Sequence, residues 1–260
     1  MNESGYLLAN AANDAGQRFD ALAAVFNRWT FQHLELLGIG SGWRCWEVGA
    51  GGPTVPAWMA DRVGEPGAVV ATDIDASWLP LGASYEVATH DVAAEPPPAR
   101  ELDLVHARLV LVHIPRRDDA LRFMADALRP GGWLVIEDFD MAAQPTSCLQ
   151  VSGPAQVRAN RVRQAFTDLL VDRGVDPQFG RSLPDRLRHL GLVDVAADAY
   201  LPIALPATAR LEAANTRQVR GGLLAKGISD ADIDAHLADL ATGALDVTTP
   251  PLVTAWGRRP

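Results

Sequence analysis

The stretch CWEVGAGGPT (45–54) ends an apolar run in an acid, Glu47, and then places Gly49, Gly51 and Gly52 within four positions. A small-residue turn between a strand and a helix lets backbone approach a ligand closely, and the next helix aims its first N–H groups at it. A dinucleotide fingerprint would need glycine at 49, 51 and 54, and position 54 is Thr54. A Walker loop is excluded because no Gly-Lys-Ser/Thr follows. Pro53 fits the first helical position, where its missing N–H is an orphan anyway, at the loss of one donor.

Outward from this turn, apolar strands alternate with helical patterns. WRCWEV (43–48), AVVATDI (68–74), YEVATH (85–90), LDLVHARL (102–109) and WLVIEDF (133–139) read as strands. PTVPAWMADRV (53–63) and RRDDALRFMADAL (116–128) read as helices, the second ended by Arg129-Pro130-Gly131-Gly132. EPPPAR (95–100) reads as a loop or broken helix. The pattern predicts an α/β fold: a doubly wound, mostly parallel sheet covered on both faces. Upstream, Asp14 and Gln17 form a capping-box pattern. Phe19, Leu22, Phe26 and Trp29 then recur at helical spacing up to Gly38. Downstream, 157–174 and 183–191 read as helices, 192–205 holds a strand, Ser229 and Asp232 open a further helix, and 251–259 is a last strand. No internal repeat or linker divides the chain, so one domain is expected. Its cofactor-binding core is 43–140, an N-terminal helical cap covers 1–38, and 142–241 supplies substrate-cover helices with one strand.

Composition narrows the partners. The 260 residues are 48% hydrophobic and 21% charged, enough for a sizeable core, and the net charge of -9 disfavours a broad nucleic-acid surface. Cys45 and Cys148, far apart, give neither a disulfide framework nor zinc spacing and fit a reducing cytosol. Neither a signal-peptide pattern nor an apolar run of about 20 residues is present, so a cytoplasmic, non-membrane protein is expected. No ligand spacing calls for a metal.

Three acids close the argument. Asp73 lies 22 positions beyond Gly51 in the next strand, the distance at which such an acid reaches a ribose diol, and Asp91 ends the third strand. With Glu47 they suit a ligand carrying a cation, a ribose and an adenine amino group, whereas a pyrophosphate would be repelled. On EVGAGG (47–52), ATDID (71–75), HD (90–91), DLVHARLVLVHIP (103–115) and LRPGGWLVIED (128–138), residues 43–140 resemble the class I S-adenosyl-L-methionine-dependent methyltransferases of the small-molecule type. The resemblance implies a Rossmann-like seven-stranded sheet and S-adenosylmethionine as cofactor, with S-adenosylhomocysteine as product. It also implies that Glu47, Gly49, Ala50 and Gly51 lie under the methionine portion. Asp73 would then take the ribose hydroxyls, with Asp75 as the alternative, and Asp91, beside Val92, the adenine amino group. Ile74 would lie on the adenine, Arg108 beside the methyl donor, and Arg18 would reach in from the N-terminal helix.

His113 and Asp138 are the catalytic candidates, and Glu137, Asp138 and Asp140 are expected to face the substrate side. The expected reaction is methyl transfer to an oxygen or nitrogen atom of a small molecule, in secondary metabolism. It needs alignment and exclusion of water more than a strong base. A nucleic-acid or protein acceptor is disfavoured by the acidic balance. A member that binds the cofactor without transferring methyl is the third class, since fold does not fix function.

Overall fold

The computed structural model describes residues 7–8, 15–80 and 82–260; Asp14 of the expected capping box lies outside them. The element order is α1 (Ala15–Leu36), β1 (Arg44–Val48), α2 (Thr54–Val63), β2 (Ala68–Asp73), β3 (Glu86–Thr89), β4 (Leu102–Arg108), α3 (Arg117–Ala127), β5 (Leu128–Phe139), α4 (Pro154–Val171), α5 (Phe179–His189), β6 (Val193–Tyr200), α6 (Pro206–Gln218), α7 (Arg220–Ala225), α8 (Asp230–Thr242) and β7 (Leu252–Arg258). The strands form one mixed seven-stranded sheet in the order β3-β2-β1-β4-β5-β7-β6. The pairs β3–β2, β2–β1, β1–β4 and β4–β5 are parallel. Strand order reverses between β1 and β4, the place where open α/β sheets bind ligands.

The chain divides into two compact units. The sheet unit comprises 27–139, 179–199 and 253–260; the helical unit comprises 1–26, 140–178 and 200–252. In the sheet unit, Cys45, Val55, Met59, Val63, Val69, Ala71, Leu104 and Val135 are buried together, with Leu34 of α1 among them. The near-continuous apolar runs of β1, β2 and β4 reflect burial on both faces. α5, expected among the cover helices, packs instead on β5 and buries Phe179, Leu183 and Leu187. In the helical unit, α6 packs on α8, and α4 on α7 and α8. Val162, Leu169, Leu223, Ile228 and Ile233 form one of its cores. The expected cap of α8 is made: Ser229 accepts from the Asp232 N–H at 3.1 Å.

β5 starts five residues earlier than the expected strand at Trp133. Arg129-Pro130-Gly131-Gly132 reads as a helix stop, yet in the fold it is an irregularity within the strand. Leu102 pairs with Leu128 and Leu104 with Trp133, so the extra residues loop out between them, with Gly131 at φ +82. The bulged segment is still used, because Gly131 donates to Arg259 and Arg259 donates to Gly132. β6 ends the sheet on one side. Most of its side chains are exposed, and Asp194 sits at φ +53.

Candidate functional site

The glycine turn leaves β1 at the reversal of strand order, with Gly49 at φ +62 and Gly51 at φ +60. A side chain at Gly49 is excluded twice, by that backbone and by Val110, whose Cγ2 lies 2.3 Å from where a Cβ would sit. Asp73, at the end of β2 and buried, holds the turn. Its Oδ2 accepts the Gly51 N–H at 2.9 Å and its Oδ1 the Asp75 N–H at 3.0 Å. Burial raises the Asp73 carboxyl above its ordinary value, and the two N–H groups work against that. Ala50 donates to Thr72 at 3.0 Å and lies half-buried in the turn. Pro53 adopts helical geometry as the cap of α2, which runs from Thr54.

Around the turn, Ile74 is 50% exposed, a large apolar side chain left open beside Asp73. Asp91 is half-buried and accepts the Ala93 N–H at 3.0 Å, shaping the turn that follows β3, while Val92 is buried. Val48 pairs with Ala107, so Gly49 and Arg108 stand side by side one residue further out.

Other candidates are engaged elsewhere. Glu47 is buried with Oε2 2.6 Å from His106 Nδ1. Asp138 and Glu137 are fully buried and, as strand neighbours, go to opposite faces. Asp138 accepts the Val112 N–H at 3.1 Å and so anchors the 3-10 turn Leu111–His113; burial pushes its carboxyl up to about 8. Asp140 accepts the Ala143 N–H at 2.9 Å. Each of the acids at the end of β5 is thus bonded within the protein. His113 is half-buried at the end of its 3-10 turn. Arg18 belongs to the helical unit, where it is buried with Nη2 3.5 Å from the Leu8 carbonyl.

Sequence reasoning missed the network that α1 completes. His106 Nε2 lies 3.4 Å from Glu137 Oε2, opposite its contact with Glu47. Thr30 donates to Glu137 Oε2 at 2.5 Å, and Thr254 donates to Oε1 at 2.8 Å. Trp29 donates to Thr254 at 2.9 Å. Arg108 donates to Thr30 at 2.8 Å and to Asn27 at 3.0 Å. Burial alone would lower the His106 pKa, but Glu47 and Glu137 outweigh it and raise it to about 9. Burial would likewise raise Glu137, and His106 and Arg108 bring it below its ordinary value. Two acids, Glu47 and Glu137, thus face one imidazole, His106, with Arg108 nearby. The signal was available: a buried polar residue inside each of three apolar strands, Glu47, His106 and Glu137, demands a partner.

The helical unit has a buried polar cluster of its own. Glu212 pairs with Arg163, accepts from Ser147 at 2.8 Å, and has His236 Nε2 3.4 Å away without hydrogen-bond alignment. Arg163 also donates to the Thr248 carbonyl at 2.9 Å. Among the described residues, Arg163 Nη1, Thr208 Oγ1 and both ring nitrogens of His236 have no hydrogen-bond partner.

A family model described as a methyltransferase domain matches residues 16–196. The chain is similar to methyltransferase str2 of Strobilurus tenacellus, 29% identical over 173 residues, covering 64% of this chain and 59% of that one. It is also similar to the ubiquinone/menaquinone biosynthesis C-methyltransferase UbiE of Pseudomonas fluorescens, 29% identical over 141 residues, 50% of this chain and 54% of that one. The matches thus span little more than half the length of these relatives. Among solved structures, phosphoethanolamine N-methyltransferase 2 of Haemonchus contortus, in complex with S-adenosyl-L-methionine, superposes with a TM-score of 0.59 at 17% identity. That match covers 95% of this chain and 57% of that one. The glycine turn at the strand-order reversal, the acid that holds it and the family match over 16–196 agree, and the chain belongs to the methyltransferase-domain family, on the class I methyltransferase fold.

Proposed function

We propose that the chain is an S-adenosylmethionine-dependent methyltransferase acting on an oxygen or nitrogen atom of a small molecule of secondary metabolism. The observation that carries this reading is the glycine turn tied to Asp73 at the strand-order reversal. The donor set fits the cofactor. After accepting from Gly51 and Asp75, the Asp73 carboxylate keeps lone pairs for a ribose diol. Open Ile74 offers an apolar surface to a base, and Asp91 an acceptor to an amino group. Gly49, Ala50 and Gly51 would lie under the methionine half, beside Arg108.

When bound, the sulfonium supplies an already activated methyl group. The protein's part is alignment and exclusion of water. His113, a half-buried histidine close to the β4 end, is proposed to take a proton from an oxygen acceptor; an amine already in its neutral form needs none removed before attack. Asp138 holds the turn that carries His113. A carbon acceptor is the second reading, favoured by the similarity to UbiE. The helical segments outside 43–140 are proposed to select the acceptor.

Calorimetry tests the cofactor. Heat with S-adenosylmethionine and S-adenosylhomocysteine is expected. Silence with both, together with binding of a nicotinamide dinucleotide, overturns the proposal. Screening acceptors by mass for the gain of one methyl group then separates oxygen, nitrogen and carbon acceptors.

A further inference from the structure

One amide on α1 grips two different parts of the candidate cofactor site. Arg108 Nη2 donates to Asn27 Oδ1 at 3.0 Å, and Asn27 Nδ2 donates to Thr54 Oγ1 at 3.0 Å. A guanidinium only donates, so it meets the oxygen end of the amide, and the nitrogen end must face the threonine. Three residues further along the helix, Thr30 accepts from the same guanidinium at 2.8 Å. Two side chains on one face of α1 thus fix Arg108, and one of them also fixes the first residue of α2.

Both gripped residues border the glycine turn. Arg108 ends β4 and stands beside Gly49. Thr54 opens the helix that follows the turn, and because Pro53 has no N–H, the donors of that helix begin at Thr54. Asp73 and Asp91, at the ends of β2 and β3, bond to backbone groups of their own neighbourhood and of the turn, and not to Asn27.

We propose that Asn27 is a positioning residue: by bridging Arg108 to Thr54 it sets the spacing between the end of β4 and the start of α2, and with it the half of the site that holds the amino-acid portion of the cofactor. The inference rests on the methyltransferase reading. It assigns the nucleoside portion to Asp73 and Asp91, so the two portions of one ligand report on separate regions. It also gives Thr54 a use at the position where a fingerprint would place glycine, since a glycine there would leave Asn27 without its acceptor.

The experiment compares S-adenosylhomocysteine with 5′-methylthioadenosine, which keeps the nucleoside and thioether but lacks the amino-acid portion. Binding of S-adenosylhomocysteine to the unaltered protein first establishes the cofactor reading independently; its absence overturns that reading and this inference together. Asn27→Ala should then weaken S-adenosylhomocysteine by about tenfold, the scale of one hydrogen bond to a charged group, and leave 5′-methylthioadenosine within about twofold. Thr54→Val should weaken only the first ligand, and Thr54→Ser, which keeps the hydroxyl, should restore it. Equal weakening of both ligands, or of neither, overturns the inference. If Asn27→Ala does not fold, the Thr54→Val and Thr54→Ser pair decides alone, because Thr54 is exposed.

Discussion

Each unit buries a histidine against acidic partners, and the two clusters are built differently. In the sheet unit, His106 meets Glu47 on one ring nitrogen and Glu137 on the other, and Thr30 and Thr254 fill the remaining acceptor sites of Glu137. In the helical unit, His236 is equally buried and faces one acid, Glu212, at 3.4 Å without hydrogen-bond alignment, while Arg163 and Ser147 bond Glu212 directly. Burial would raise the Glu212 carboxyl, yet Arg163 and His236 hold it down to about 2. The contrast separates a histidine bonded through both ring nitrogens from one that meets a single acid at longer range. A buried ionic set is costly to break, and less so where the acid keeps a second, directly bonded cation, as Glu212 keeps Arg163.

The largest expected effect tests this directly. His106→Phe leaves Glu47 without its partner and Glu137 with only Thr30 and Thr254 as donors, and should cost about 3–5 kcal/mol in denaturant unfolding, against a smaller loss for His236→Phe, where Glu212 keeps Arg163. Equal losses would break the comparison. The pH profile sharpens it. The folded pKa of His106 is raised above 6.5, so its contribution is complete below about 6.5, erodes as pH rises, and is gone above about 9. The raised Asp138 carboxyl acts in the same direction between about 4 and 8. The His106 share is therefore the part of the alkaline loss that disappears in His106→Phe and survives in His236→Phe.

A smaller effect belongs to Asp73. Asp73→Ala removes a charged acceptor from the proposed ribose site and from the Gly51 N–H, and hydrogen bonds to charged groups contribute about 1.5–3 kcal/mol. S-adenosylhomocysteine affinity should fall about 10- to 100-fold with the fold intact; an unchanged dissociation constant would remove Asp73 from the site.

The turn and Asp73 were legible because glycine spacing and strand-end acids are local signals. So were the central strands, whose burial on both faces makes them nearly continuous apolar runs. The early start of β5 was not, because Pro130, Gly131 and Gly132 read as breakers while register with β4 decides the matter. Asn27 and Thr30 were missed for another reason: they occupy the polar positions of an amphipathic pattern, and only the fold shows what those positions face. Glu47 and Glu137 were noticed as acids and assigned to a ligand. Both are bonded to His106, which lies 59 residues from one and 31 from the other, beyond any local pattern.

The least expected effect lies on α1 itself. Glu35 pairs with Arg62 on the surface, both about half exposed, and such pairs contribute about 0–1 kcal/mol. Glu35→Gln should shift the unfolding midpoint barely at all, one turn away from His33 and Thr30. A loss as large as that of His106→Phe would show that exposure does not separate the two kinds of pair.

β6 has a bearing on the behaviour of the protein in concentrated solution. A sheet edge with free N–H and C=O groups is a template onto which a foreign strand can add. Here the edge is spoiled at two points. Asp194 turns the backbone to φ +53 and is tied to Arg258 at 2.8 Å, and Asp198 is bonded to His33 at 3.0 Å. The kinked residue spoils the flat register that stacking needs, and the two side-chain pairs crowd the edge. The strand that ends the sheet beside β7 is thereby a poor template for a foreign strand.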